Sequence, residues 1–247
     1  MTTIASAPSA ADTFAFRLHN VGVAFKGAQA VGDVSLSVAP GEFVAIVGPS
    51  GCGKTTLLSV LSGSLAPTQG TCERREKTRT VHQSDGLFPW RTVWENIELG
   101  LPAKQDERTA KQDVQAMLEK VGLKGFERHY PHQLSGGMRQ RVEIARALAG
   151  NNHDALLLDE PFSALDYITR LKMRNELTRL LTQSPRTVVL VTHDIEEAAQ
   201  LADRVIVLSE RPATVRYELL LTAPRPRDVT GPPVTEAIRK VLQIMGV

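Results

Sequence analysis

Cysteine is nearly absent. Only Cys52 and Cys72 occur in 247 residues, which excludes a disulfide scaffold and a cysteine-rich zinc site. No apolar run approaches the roughly 18–20 residues that span a bilayer; Ala155–Leu158 and Thr187–Thr192 are far shorter. An excess of either charge is also missing. The 29 Lys and Arg stand against 27 Asp and Glu, net +2, which argues against a dedicated nucleic-acid binder. Met1–Thr13 has neither the basic region nor the apolar stretch of a secretory signal. Rich in Ala, Ser, Thr and Pro, residues 1–13 are expected to form a disordered tail on a cytoplasmic protein. The 18 glycines and 14 prolines are an ordinary share, so the chain is neither collagen-like nor of low complexity. A chain of this length buries about 70–75% of its unfolded surface, enough for one large domain or a domain with a subdomain.

What is present alternates strands with helices. Phe14–Val23 and Val34–Val38 alternate apolar and polar residues as strands do. Pro40-Gly41 marks a turn, and Phe43–Val47 reads as a buried strand. Lys54–Leu61 has helical spacing and ends at Gly63, a C-cap residue. From about Thr92 to Leu148 the period is helical, carried by Val114, Met117, Leu118 and Val121, then by Val142, Ala145 and Leu148. Strand-like runs return at Ala155–Leu158, Thr187–Val191 and Val205–Leu208, separated by the helical stretches Tyr167–Thr182 and Asp194–Ala202. Val215–Leu221 is a further strand, and Val234–Met245 an amphipathic helix after a Pro-rich linker. The pattern predicts an α/β fold with a parallel sheet covered on both faces, and a helical subdomain inserted at about 92–148.

Chemistry concentrates at the ends of the predicted strands. Gly48-Pro49-Ser50-Gly51-Cys52-Gly53-Lys54-Thr55 matches G-x-x-x-x-G-K-[ST] between a strand and a helix, the context a phosphate-binding P-loop requires. Its glycines let backbone N–H groups close around phosphates at a helix N-terminus. Lys54 is expected to reach the β- and γ-phosphates and Thr55 to hold Mg²⁺. Leu156–Leu158 ends in Asp159 and Glu160. Asp159 suits a metal and Glu160 a general base for water; the same pair before Pro161 also suits a helix N-terminus. Leu134–Arg141 enters a helix through Ser135, Gly136 and Gly137, either as a second anion site or as a plain N-cap. His193 stands at another strand end, and His129-x-x-His132 lacks the further ligands a metal site needs.

Taken in order, the P-loop, Gln83, Leu134–Arg141, Leu157–Glu160, Ser163–Asp166 and His193 resemble the nucleotide-binding subunit of an ATP-binding cassette (ABC) transporter, over residues 14–222. The resemblance implies a RecA-like core with an N-terminal antiparallel β subdomain and an inserted helical signature subdomain, followed by a C-terminal linker and helix at 223–247. It implies that Phe25 stacks on adenine, the alternative being a strand-core Phe. Gly48–Thr56, Thr56 included, would be the Walker A loop, and Gln83 the Q-loop residue that contacts Mg²⁺ and the attacking water. Ser135, Gly136, Gly137 and Met138 would form the signature that meets the γ-phosphate held by an opposite subunit; Met138 stands where Gln is frequent. Asp159 and Glu160 would be Walker B and the catalytic base, Asp166 the D-loop aspartate and His193 the switch histidine.

With one such set per chain, the resemblance implies a head-to-tail pair enclosing two ATPs, a second copy of the chain being the expected partner. It also implies docking on transmembrane permease subunits at the cytoplasmic face of the membrane, and a solute-binding protein acting through them. Leu87–Trp90 with Thr92–Asn96, His193–Ala198 and the Pro-Arg-Pro-Arg segment ending at Arg227 are similar to importer cassettes of the nitrate/sulfonate/taurine type. Trp90 and Trp94 would be core aromatics or line the groove for the permease. The other function class, a soluble ABC ATPase outside transport, usually carries two cassettes or a long coiled-coil insertion. Between Gly70 and Gln83 the chain is short and charged, and a truncated sheet is expected there.

Overall fold

The computed structural model describes residues 13–82, 86–150 and 155–246. Strand β1 (Phe16–Phe25) turns at Lys26 and Gly27 into β2 (Ala28–Val38). Both turn residues adopt positive φ, 47° and 82°, as a two-residue hairpin turn demands. β3 (Phe43–Val47) leads into α1 (Lys54–Ser62), which ends at Gly63 with φ 80°. β4 (Gln69–Arg74) and β5 (Thr78–Val81) follow. Next come α2 (Val93–Glu98), α3 (Glu107–Lys120) and α4 (Gly136–Leu148). The chain continues through β6 (Ala155–Asp159), α5 (Tyr167–Gln183), β7 (Thr187–Val191), α6 (Ile195–Leu201), β8 (Arg204–Leu208), β9 (Val215–Leu220) and α7 (Pro232–Met245).

Two sheets result. The smaller is antiparallel, ordered β2-β1-β4; the larger is ordered β5-β6-β7-β3-β8-β9, parallel except for the β8–β9 pair. The short charged segment before Gln83 therefore does not form a stunted hairpin. β4 joins the small sheet and β5 the edge of the large one, because Thr78–Val81 finds its hydrogen bonds on β6 rather than on its sequence neighbour.

Alternation along β3 shows why the large sheet is buried on both faces. Phe43, Ala45 and Val47 enter one core with the helices α2–α7, while Val44 and Ile46 enter a second with α1 and the small sheet. Every residue of β3, β6 and β7 is buried. The ends of these strands therefore present chemistry on a framework with no freedom to slip. The Pro-rich segment after β9 is docked, not loose: buried Arg227 donates to the carbonyls of Ala202 at 2.5 Å, Ala223 at 2.8 Å and Leu221 at 3.1 Å. Val234, Ala237 and Val241 of α7 complete the first core.

Candidate active site

The P-loop runs from the end of β3 to the start of α1. Gly51 and Gly53 have φ of 75° and 120°, where a side chain is strained. A Cβ on Gly53 would stand 2.8 Å from the Ala30 carbonyl oxygen, so β2 presses directly on the loop. No side chain caps α1, and its first-turn N–H groups are left for a ligand. Lys54 folds back over the loop and donates from Nζ to the carbonyls of Gly48 at 2.8 Å and Pro49 at 2.9 Å. An ammonium has three protons, which leaves one for an anion.

Ser50, Gly51, Gly53, Lys54, Thr55, Thr56, Glu160 and His193 line a single cleft of about 430 Å³. Cys52 is buried beneath the loop. Thr55 donates from Oγ1 to Asp159 Oδ1 at 3.2 Å. Burial pushes the Asp159 carboxyl up from the ordinary carboxylate range, and the Thr55 hydrogen bond offsets part of this. Glu160 adopts φ 47°, a left-handed backbone that costs a non-glycine residue roughly 1–3 kcal/mol. Its N–H donates to Val191 O at 2.8 Å, and its Oε1 lies 3.0 Å from His193 Nδ1. The two acids do not open a helix: a turn follows them, and the next helix is capped by Asp166, whose side chain accepts from Thr169 N at 3.0 Å.

The loop that carries His193 is braced from beneath. Asp194 caps α6 and binds Arg174 at 2.5 Å and Arg170 at 3.0 Å. Burial raises the Asp194 carboxyl, but the Glu197 N–H and these two guanidiniums outweigh it and hold it low. Glu197, buried beside them, accepts from Thr192 Oγ1 at 2.8 Å and is pushed up to about 7 by desolvation.

Other candidates stand outside the cleft. Ser135 caps α4, accepting from Met138 N at 3.3 Å, so the N-cap reading holds geometrically. Ser135, Gly136, Gly137 and Met138 do not line the P-loop cleft; Met138 packs on the core. Phe25 is 46% exposed at the tip of β1, so it is not a core residue. Trp90 is 70% exposed, whereas Trp94 is half-buried against the core. Gln83 lies outside the described residues. His132 stacks on Tyr130, and His129 lies against Phe126 with the ring planes tilted by 50°. Sequence patterns alone do not mark Gln140, Thr192, Arg170, Arg174 or Glu197. Their roles depend on contacts between distant segments, and the one local signal is polar residues on otherwise apolar helix faces.

Residues 31–163 match the family model described as ABC transporter. The chain is 41% identical over 245 residues to the aliphatic sulfonates import ATP-binding protein SsuB 1 of Streptomyces avermitilis, covering 99% of this chain and 92% of that protein. It is 44% identical over 206 residues to the taurine import ATP-binding protein TauB of Yersinia pestis bv. Antiqua, covering 80% of each. Among solved structures, the dimeric MJ0796, a bacterial ABC transporter cassette, superimposes with a TM-score of 0.76 at 35% identity, over 84% of this chain and 99% of that one. The same cassette is known as a dimer in a post-hydrolysis state bound to ADP and Pi, with a TM-score of 0.75 at 34% identity. A P-loop, a carboxylate–histidine pair at the ends of adjacent strands and this likeness over almost the whole length lead to one conclusion: the chain belongs to the ABC transporter family.

Proposed function

We propose that this chain is the ATP-hydrolysing subunit of an importer for a small sulfonate-like solute. The carrying observation is the single cleft that joins the P-loop to Glu160 and His193. The P-loop N–H groups and Lys54 bind the β- and γ-phosphates. Glu160 Oε1 accepts the proton of the attacking water, and His193, 3.0 Å away, holds that carboxylate and faces the γ-phosphate. Phe25, exposed at the tip of β1, offers a face to the adenine ring.

The residues present fit Mg²⁺. Thr55 Oγ1 and buried Asp159 Oδ1 are hard oxygen donors 3.2 Å apart, and a carboxylate that burial destabilises as an anion gains from a nearby cation. Mg²⁺ bound there by Thr55 and Asp159, with Gln83 as the further candidate, would neutralise charge on the phosphate oxygens.

The Ser135 end of α4 lies outside the chain's own cleft, and this supports a role on a nucleotide held by a second copy. ATP enclosed between two copies favours the closed pair, and hydrolysis releases it. In this reading the pair docks on permease subunits at the cytoplasmic face of the membrane, with a solute-binding protein upstream; the relatives' names as import ATP-binding proteins support this. The exposed ring pair Phe88 and Trp90, centroids 5.4 Å apart beside the segment after Gln83, offers the aromatic surface for that contact. Among the described residues no helix is long and apolar enough to cross a membrane. In this reading residues 14–222 form the ATPase unit, with the helical part at about 92–148 and an appended segment at 223–247.

The test is co-purification. Glu160→Gln chain, tagged and incubated with detergent-solubilised membranes, ATP and Mg²⁺, is expected to retain a polytopic permease identified by mass spectrometry. Recovery of soluble proteins alone would overturn the importer assignment.

A further inference from the structure

We infer that Gln140 is a positioning residue for hydrolysis: its side-chain amide fixes the turn that carries Glu160 from the helix that Ser135 caps. This rests on the assignment of Glu160 as the base.

Gln140 lies on α4, 7% exposed, five residues past Ser135. Its Nε2 donates to the Glu160 carbonyl at 3.1 Å, and its Oε1 accepts the Ala164 N–H at 3.0 Å. One planar group thus spans the turn, bonding a carbonyl at its start and an N–H at its end. Glu160 needs such support, because its φ of 47° is unfavourable for a residue with a side chain. Its carbonyl also accepts from Ser163 N at 3.2 Å and Ser163 Oγ at 2.9 Å. Both of those donors belong to the turn itself and move with it; among these partners Gln140 alone is anchored elsewhere.

One helical turn earlier, on the same face, Gly137 sits against the same segment. A Cβ there would be 3.1 Å from Leu165 Cδ2 and 3.3 Å from the Ala164 carbonyl oxygen. The N-terminal half of α4 is therefore keyed twice into residues 160–165. A displacement of α4 moves the Glu160 backbone, and with it the carboxylate that faces His193. The side-chain amide carries both the donor and the acceptor that bond the two ends of the turn. Ionised glutamate of equal length cannot donate to the Glu160 carbonyl, and methionine can neither donate nor accept strongly.

The experiment compares wild type, Gln140→Glu, Gln140→Met, Glu160→Gln and the Gln140→Met/Glu160→Gln double variant as full-length chains. Nucleotide affinity is read with a fluorescent ATP analogue, and hydrolysis by single-turnover release of phosphate. Gln140→Met is expected to bind within twofold of wild type and hydrolyse at least tenfold more slowly, with Gln140→Glu similarly slowed. On the Glu160→Gln background, Gln140→Met is expected to change the residual rate less than twofold, since residues that act as a unit are not additive. Should the methionine variant not fold, Gln140→Glu alone decides by the same split. Unchanged hydrolysis in the Gln140 variants with an inactive Glu160→Gln overturns this inference. So does an affinity loss in proportion to the rate loss, or a full tenfold loss added on the Glu160→Gln background. Undiminished hydrolysis by Glu160→Gln instead overturns the assignment of the base, and this inference with it.

Discussion

Glu160 Oε1 and His193 Nδ1 lie 3.0 Å apart, although they stand 33 positions apart in the sequence. The pairing of β6 with β7 brings them together: Asp159 stands opposite Val191 in register, so the residues just past each strand end meet above the sheet. The Glu160 N–H continues the ladder onto Val191 O at 2.8 Å, and the left-handed turn at Glu160 then aims its carboxylate toward the P-loop.

Gly53 is the position where the loop tolerates change least. Gly53→Ala places a methyl 2.8 Å from a backbone oxygen at φ 120°. The strain is about 1–3 kcal/mol before the clash is counted; at ~2–4 °C per kcal/mol for a chain of this size, a melting temperature lowered by roughly 5–10 °C is expected, with weakened ATP binding. Gly27→Ala is the control: its φ is 82°, but nothing lies within 4 Å of the added atom, so its drop should be the smaller. Equal drops in thermal melts would contradict the packing of β2 on the loop.

Glu197 sets a pH dependence of stability. Its carboxyl is pushed up to about 7 from the ordinary 4.5, chiefly by desolvation, against the Thr192 hydrogen bond and the Arg174 charge. The folded form thus binds the proton more tightly than the unfolded form between these values. Stability is full below about pH 4.5 and is lost as pH rises through about 7, by roughly 3 kcal/mol at about 1.4 kcal/mol per pH unit. Glu197→Gln should remove this slope, so urea midpoints of wild type and variant should diverge in the variant's favour from pH 5 to 8. Parallel curves would show that the carboxyl titrates normally.

Ser135→Arg separates the two ends of the proposed pair. Loss of the cap costs about 1 kcal/mol, and ATP affinity of the single chain should persist because Ser135 does not line the cleft. Light scattering with ATP and Mg²⁺ should show no dimer for this variant in the Glu160→Gln background, where the parent forms one. A dimer of undiminished stability would refute the trans role.

The framework is legible in the sequence because burial dictates it. The runs Phe43–Val47, Ala155–Leu158 and Thr187–Val191 are strands in the structure, since a parallel strand buried on both faces must be continuously apolar. The P-loop is legible because glycine and lysine are the means of closing a backbone around phosphate. Thr78–Val81 is not legible as a strand: it sits at a sheet edge, half-buried, with Arg79 bonded to the Arg146 carbonyl at 2.8 Å, so no apolar pattern marks it. The Gln140 bridge and the pressure of β2 on Gly53 are equally hidden, because both join segments 20 or more residues apart. Asp159 and Glu160 fit a helix start by sequence, and only the turn behind them shows that Asp166 is the cap.

The most direct test is single-turnover hydrolysis by Glu160→Gln beside an affinity titration on the same protein. Loss of a general base costs ~10²–10⁴-fold, so phosphate release should fall by about that factor while ATP affinity stays within a few-fold of wild type. Wild-type turnover in a protein that binds ATP normally would contradict the assignment of Glu160, and with it the account of how this cleft hydrolyses ATP.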